Sequence, residues 1–120
     1  MINALLIFLG GGLGSLVRYG VSKSVIANFQ THFPLATFLS NSISCIILAL
    51  TVYYFQSKYA LSNNLKIFIV TGFCGGFSTF STFSYETFEL FKMGYAWMAV
   101  GNIFISVVSC LLVMFFLYNK

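Results

Sequence analysis

The sequence predicts an all-α membrane protein of four transmembrane helices, the third of them broken at mid-membrane. Two observations set the class and one sets the break. Of 120 residues, 59% are hydrophobic and only 7% charged, with mean hydropathy +0.94. A water-soluble domain carries about 25% charged residues, so this chain lacks the charge to cover a globular surface. A bilayer crossing takes about 20 apolar residues, so four crossings use about 80 and leave about 40 for termini and connections. That leaves no room for a separate soluble domain, and residues 1–120 read as one transmembrane domain. The break is predicted by Gly72, Gly75 and Gly76, crowded into the third apolar stretch, where each lowers helix stability by roughly 1 kcal/mol relative to alanine.

The spans are expected at about 2–27, 35–55, 65–90 and 95–118. The first has no basic residue before it and no small-residue cleavage site after it, the pattern of a retained helix rather than a signal peptide. The Gly10–Gly14 pair within it lets two helix backbones approach closely. Pro34 opens the second span, where a proline suits the first helical turn. The connections are short: Asn28 to Pro34, Gln56 to Asn64, and the turn Lys92–Met93–Gly94. Tyr53, Tyr54, Tyr59, Tyr95, Trp97 and Tyr118 fall near span ends, where interfacial aromatics belong.

Lys and Arg in short loops set orientation. Arg18, Lys23 and Lys92 fall on one side of the membrane, and Lys58, Lys66 and Lys120 on the other. Three against three carries no instruction about direction. Two readings stay open: insertion both ways with pairing into an antiparallel dual-topology homodimer, or one orientation chosen by a weak bias or by a partner. Four helices of this length barely enclose a path alone, which favours a dimer.

Enzyme chemistry is poorly supplied. The carboxylates Glu86 and Glu89 and the single histidine, His32, do not fall into acid–base or metal-site patterns. Cys45, Cys74 and Cys110 are far apart in apolar stretches and read as small apolar fillers. The net charge of +4 comes from scattered cations, which make no nucleic-acid footprint.

The segment Thr71 to Glu86 carries most of the information. Non-helical backbone at mid-membrane is tolerated only inside protein or along a wet cavity, and it exposes carbonyl oxygens of the kind a hard cation such as Na⁺ binds, as in discontinuous transporter helices. Phe77, Phe80 and Phe83 recur every three residues beside Ser78, Ser81, Ser84, Thr79 and Thr82. Hydroxyls donate to an anion, and the positive edge of a phenyl ring can face one. The second span adds Thr37, Ser40, Asn41, Ser42 and Ser44, and the fourth adds Asn102, Ser106 and Ser109. Arg18 lies on the Gly14 face of the first span, either reaching for the interface or attracting anions.

These residues resemble the Fluc (CrcB) fluoride channels of microbial membranes, over essentially the whole chain. The resemblance rests on Gly11-Gly12-Leu13-Gly14-Ser15-Leu16-Val17-Arg18-Tyr19, on Asn41, and on the run from Gly72 to Glu86. It implies a fluoride-selective passive channel of the cell membrane, an antiparallel homodimer with two fluoride paths and a central structural Na⁺. It implies that the backbone carbonyls of Gly75 and Ser78 bind that Na⁺, with Ser78 where the family usually has Thr. It further implies that Phe80 and Phe83 line the paths with their ring edges and that Asn41 is the pore-lining amide. Arg18 is then the basic residue of the first span, Thr79, Ser81 and Thr82 the hydroxyls around the break, and Glu86 sits near one end of the route. The hydroxyl stack of the fourth span aligns with Asn102, Ser106 and Cys110, and Ser44 stands where the family has Gly. The rivals are a small four-span drug/proton antiporter, which needs a carboxylate deep in a helix, and a purely structural membrane protein.

Overall fold

The structure is a computed structural model that describes residues 1–56 and 62–119; Lys58, Tyr59 and Lys120 lie outside the described residues. All regular structure among these residues is helical: α1 (Ile2–Asn28), α2 (Leu35–Gln56), α3 (Asn63–Lys66), α4 (Gly75–Phe77), α5 (Phe80–Lys92) and α6 (Ala96–Tyr118). From α3 the backbone continues into α4 as a π-helical stretch, Ile67–Cys74. Four stretches are long and apolar enough to cross a membrane: Ile2–Asn28, Leu35–Gln56, Asn63–Lys92 and Ala96–Tyr118. The bundle is 49 Å long, enough for the hydrocarbon core and both headgroup layers, about 40–45 Å together.

Its interior is made mostly of small and polar side chains, with Phe77 and Leu90 as large apolar exceptions. Thr37, Ser40, Ser44, Ala49, Ala99 and Asn102 are buried, whereas Phe104, Leu111, Phe115 and Phe116 point outward. Lipid is as apolar as leucine, so helices in a bilayer associate through close packing and interhelical hydrogen bonds rather than by hiding large apolar groups. Lys23, Lys66 and Lys92 each rest on a ring, of Tyr19, Phe55 and Phe88, at 5.2–5.8 Å from the centroid, a cation–π contact.

The closest packing is between α1 and the third span. A Cβ on Gly14 would collide with the Phe73 carbonyl, and one on Gly76 with the Gly11 carbonyl. The Gly10–Gly14 pair therefore has a mate, Gly72–Gly76, and the two backbones touch directly. This relocates the weak point expected from composition. Gly75 is helical (φ −63°, ψ −36°), and the extended backbone falls at Ser78 (φ −78°, ψ 157°) and Thr79 (φ −153°, ψ 118°). Gly72 and Gly76 serve proximity, not interruption. Phe77 is then separated from Phe80 and Phe83 by the extended pair, so the three do not form one stripe. Phe77 is buried at 2% exposure against Phe73, ring centroids 5.6 Å apart.

The α5–α6 turn is fixed by Gly94 at φ 86°. Tyr95 N–H donates to the Leu90 carbonyl (2.9 Å) and Gly94 N–H to the Phe91 carbonyl (3.1 Å), the paired bonds of a Schellman cap, which places glycine at this left-handed position.

Gly14→Ala is expected to destabilise the fold by about 1–3 kcal/mol, the range for overpacking. Gly20 has open space around its Cβ position, so Gly20→Ala should be neutral or stabilising by up to about 1 kcal/mol. Thermal unfolding of both variants in detergent micelles checks the contrast, and equal melting temperatures would refute it.

Candidate functional site

The extended pair Ser78–Thr79 is held by side chains brought in from α2. The Thr79 N–H donates to Asn41 Oδ1 at 2.7 Å, and Asn41 Nδ2 donates back to the Thr79 carbonyl at 3.2 Å. One amide side chain thus gives Thr79 the donor and acceptor that a helix would have supplied. Thr79 also caps α5: its Oγ1 accepts from the Thr82 N–H (3.3 Å) and donates to Thr82 Oγ1 (3.1 Å), with Ser81 Oγ at 3.4 Å. Upstream, the Cys74 carbonyl accepts from Ser44 Oγ (3.1 Å), Ser78 Oγ (2.7 Å) and Ser78 N–H (3.0 Å).

These bonds have a consequence for two carbonyls. In an uninterrupted α-helix each N–H bonds the carbonyl four residues back, so Thr79 would pair with Gly75 and Thr82 with Ser78. Both amides are diverted, to Asn41 and to Thr79 Oγ1. The Gly75 and Ser78 oxygens lose their helical partners, and Gly75 itself is exposed.

Two cavities meet at Thr79. The first, about 290 Å³, is polar: Ser15 and Arg18 from α1, Thr37 and Ser40 from α2, and Thr79, Thr82 and Glu86 from the third span. Ser40 Oγ and Glu86 Oε2 are buried there without a hydrogen-bond partner. Arg18 is ten residues short of the end of α1, about 15 Å along the axis at 1.5 Å per residue, so it serves the cavity rather than a helix end. Among the described residues the one salt bridge is Lys92–Glu89 at 3.2 Å; Arg18 makes none and shares the cavity with Glu86. The second cavity, about 360 Å³, is lined by Asn41, Thr79, Phe80, Phe83, Ser106 and Cys110, among others. Its rings, Phe80 and Phe83, lie with centroids 5.8 Å apart, and Phe80 is 80% exposed. A third cavity, about 380 Å³, shares Glu86 and reaches the loop carrying His32.

The fourth span contributes less than its polar run implies. Asn102 is buried and satisfied: it donates to Thr87 Oγ1 at 2.9 Å and accepts from Ser106 Oγ at 3.3 Å, while Thr87 donates to the Phe83 carbonyl at 2.7 Å. Ser106 and Cys110 line the ring cavity, and Asn102 instead ties α6 to α5. Cys45 and Cys110, distant in sequence, line the same cavity where α2 packs on α6. Arg18, Thr82 and Glu86 thus collect in the polar cavity, Asn41, Phe80, Phe83 and Ser106 in the other, and Thr79 in both. Ser15 and Ser40 were overlooked as lining residues. Their signal was the helical spacing Ser15–Arg18–Ser22, and Thr37–Ser40–Ser44 on the buried face of α2. Among the described residues, no three His, Cys, Asp or Glu side chains cluster as a metal site.

The sequence profile described as CrcB-like protein, Camphor Resistance (CrcB), matches residues 5–117. The chain belongs to the CrcB-like family. Curated relatives agree in length. One from Phocaeicola vulgatus, named fluoride-specific ion channel FluC, is 36% identical over 116 residues, covering 93% of this chain and 95% of its own. One of the same name from Pyrococcus horikoshii is 41% identical over 110 residues, covering 92% and 88%. A third, FluC 2 from Nitrobacter hamburgensis, is 37% identical over 112 residues, 90% of each chain. With four membrane-spanning helices, the family makes this a multi-pass protein of the plasma membrane.

Asn41→Ala leaves the Thr79 N–H and carbonyl unpaired. At about 1–3 kcal/mol for each of these two unsatisfied groups, the variant should lose about 2–6 kcal/mol. Unfolding in micelles, followed by Trp97 fluorescence, measures this; a loss below about 0.5 kcal/mol, the size of an ordinary surface effect, would show that the bridge is dispensable.

Proposed function

We propose that this protein is a fluoride-selective passive channel that lets fluoride leave the cell and so relieves its toxicity. The observation that carries the proposal is the Asn41–Thr79 bridge, which sets the hydroxyl-lined cavity beside the ring-lined one with Thr79 on the wall of both. The relatives' shared name supports the choice of ion.

The physical problem is desolvation. Moving a small ion from water into a medium of dielectric about 4 costs on the order of 20 kcal/mol by the Born estimate. Close donors must replace the lost water, yet hold the ion weakly enough to release it. Arg18 draws an anion into the polar cavity, where the Ser15, Ser40 and Thr82 hydroxyls hydrate it. Asn41 has a second amide hydrogen beyond the one given to Thr79, and it serves as a donor at the seam. Past the seam, the positive ring edges of Phe80 and Phe83 and the Ser106 hydroxyl take over, with no fixed cation to trap the ion. Glu86 stands between the polar cavity and the loop-side cavity, at one end of this route.

We further propose that the channel is an antiparallel dual-topology homodimer, its third span broken at mid-membrane by the extended pair and holding a structural Na⁺ on the dimer axis. The carbonyls of Gly75 and Ser78 suit this ion: both have lost their helical partners, and two from each chain make a four-oxygen cage. A bound Na⁺ would supply the positive charge that four converging oxygens require. The balanced count of cations on the two sides supports insertion both ways.

Fluoride efflux from liposomes containing only this protein, with chloride retained, is the expected result. Proton-coupled cation transport would favour the antiporter, and no flux would favour a structural protein. Phe80→Ile should cut fluoride efflux by about tenfold or more, ~1.4 kcal/mol on the barrier, while the dimer stays assembled on size-exclusion chromatography; unchanged efflux removes the ring-edge role. Lys120→Cys should label from both faces of the membrane, and one-sided labelling would contradict dual insertion.

A further inference from the structure

Cys45 on α2 and Cys110 on α6 have no part in the route just described as donors of positive hydrogen-bond edges, yet both line the ring cavity beside Phe80 and Phe83. They are free thiols on the walls of this one cavity, carried by two helices that pack against each other. Cys110 Sγ also sits 3.9 Å from the Asn41 carbonyl, on the residue that braces the extended pair. The third thiol is differently placed: Cys74 is 4% exposed, directs its Sγ at the Ser44 carbonyl (3.7 Å) and does not line this cavity.

We propose that Cys45 and Cys110 form a two-thiol site for a soft divalent cation, of which Hg²⁺ is the type, and that its occupation closes the ring cavity. Three features select this ligand. Sulfur is soft and prefers soft metals. Two thiols on one cavity, with no third His, Cys, Asp or Glu clustered with them among the described residues, match a cation content with two-coordinate linear binding. Charge decides between monovalent and divalent ions: a monovalent cation on two thiolates leaves a net negative charge in an apolar groove, which is costly, whereas a divalent one leaves a neutral complex. The reaction balances as HgCl₂ plus two thiols giving a bis-thiolate mercury complex, two protons and two chloride ions. No oxidant is involved, and neutral HgCl₂ enters an apolar groove without a charge penalty.

The blocking step rests on the channel reading, but the binding step does not, and the experiment separates them. Purified protein in detergent is titrated with HgCl₂ while the sulfur-to-mercury charge-transfer absorbance and proton release are followed. The expected result is saturation at one metal and two protons per chain, with Cys45 and Cys110 both protected from N-ethylmaleimide by that single equivalent. Cys45→Ser should weaken mercury retention against a competing monothiol by about tenfold or more, and Cys74→Ala should not. Saturation at two metals per chain, protection of only one of the two thiols, or retention lost in Cys74→Ala instead of Cys45→Ser overturns the site. The protection measurement uses the unaltered chain, so it decides even if a variant misfolds. In liposomes, one bound equivalent should cut fluoride efflux severalfold in the native chain and leave Cys45→Ser at its own untreated rate. Flux unmoved by bound mercury overturns the closure. Liposomes that pass no fluoride before mercury is added refute the channel reading, while the titration still decides the site.

Discussion

The structure turns on one side-chain amide. Thr79 has extended backbone inside an apolar bundle, where an unpaired peptide group costs several kcal/mol. Asn41 meets both of its polar groups at once, accepting from the N–H and donating to the carbonyl. From that pairing the rest follows locally. The Thr79 side chain is freed to cap α5, the Gly75 and Ser78 carbonyls are left without helical partners, and the backbone redirects Phe80 away from the face that buries Phe77. A single α2 residue thereby decides which way the aromatic segment points.

A second constraint is proximity. The glycine pairs on α1 and on the third span bring backbone against backbone, so the register between them is fixed by steric exclusion rather than by hydrophobic preference. On the opposite side, Ser44 reaches the Cys74 carbonyl, and the buried relay from Ser106 through Asn102 and Thr87 to the Phe83 carbonyl joins α6 to α5. Polar residues that are expensive in hydrocarbon are thus almost all engaged. Among the buried side-chain atoms of the described residues, Ser40 Oγ, Ser42 Oγ and Glu86 Oε2 are the exceptions, and two of the three residues line the polar cavity.

Much of the fold was legible because its signals are one-dimensional. Four apolar runs, short polar connections and aromatic ends need only a count along the chain, and the Gly72 to Glu86 run is distinctive enough to point to the family now shown. What stayed hidden depends on partners far apart in sequence. Glycine propensity placed the weak point at Gly75 and Gly76, because propensity does not see that α1 lies against Gly76; the extended pair falls instead where Asn41 supplies substitute hydrogen bonds. Asn102 looked like a lining residue because its spacing matched Ser106, but Thr87 turns it inward. Cys45 and Cys110, 65 positions apart in sequence, become neighbours only once α2 and α6 pack.

The relay that ends on the Phe83 carbonyl separates the fates of two adjacent rings. Phe83 sits on backbone that Thr87 and, through it, α6 hold in place, so its orientation is inherited from the scaffold. Phe80 stands one turn nearer the extended pair with four-fifths of its surface uncovered, and among the described residues its ring contact is the Phe83 ring at 5.8 Å. One ring is a fixed jamb and the other a leaf that leans on it.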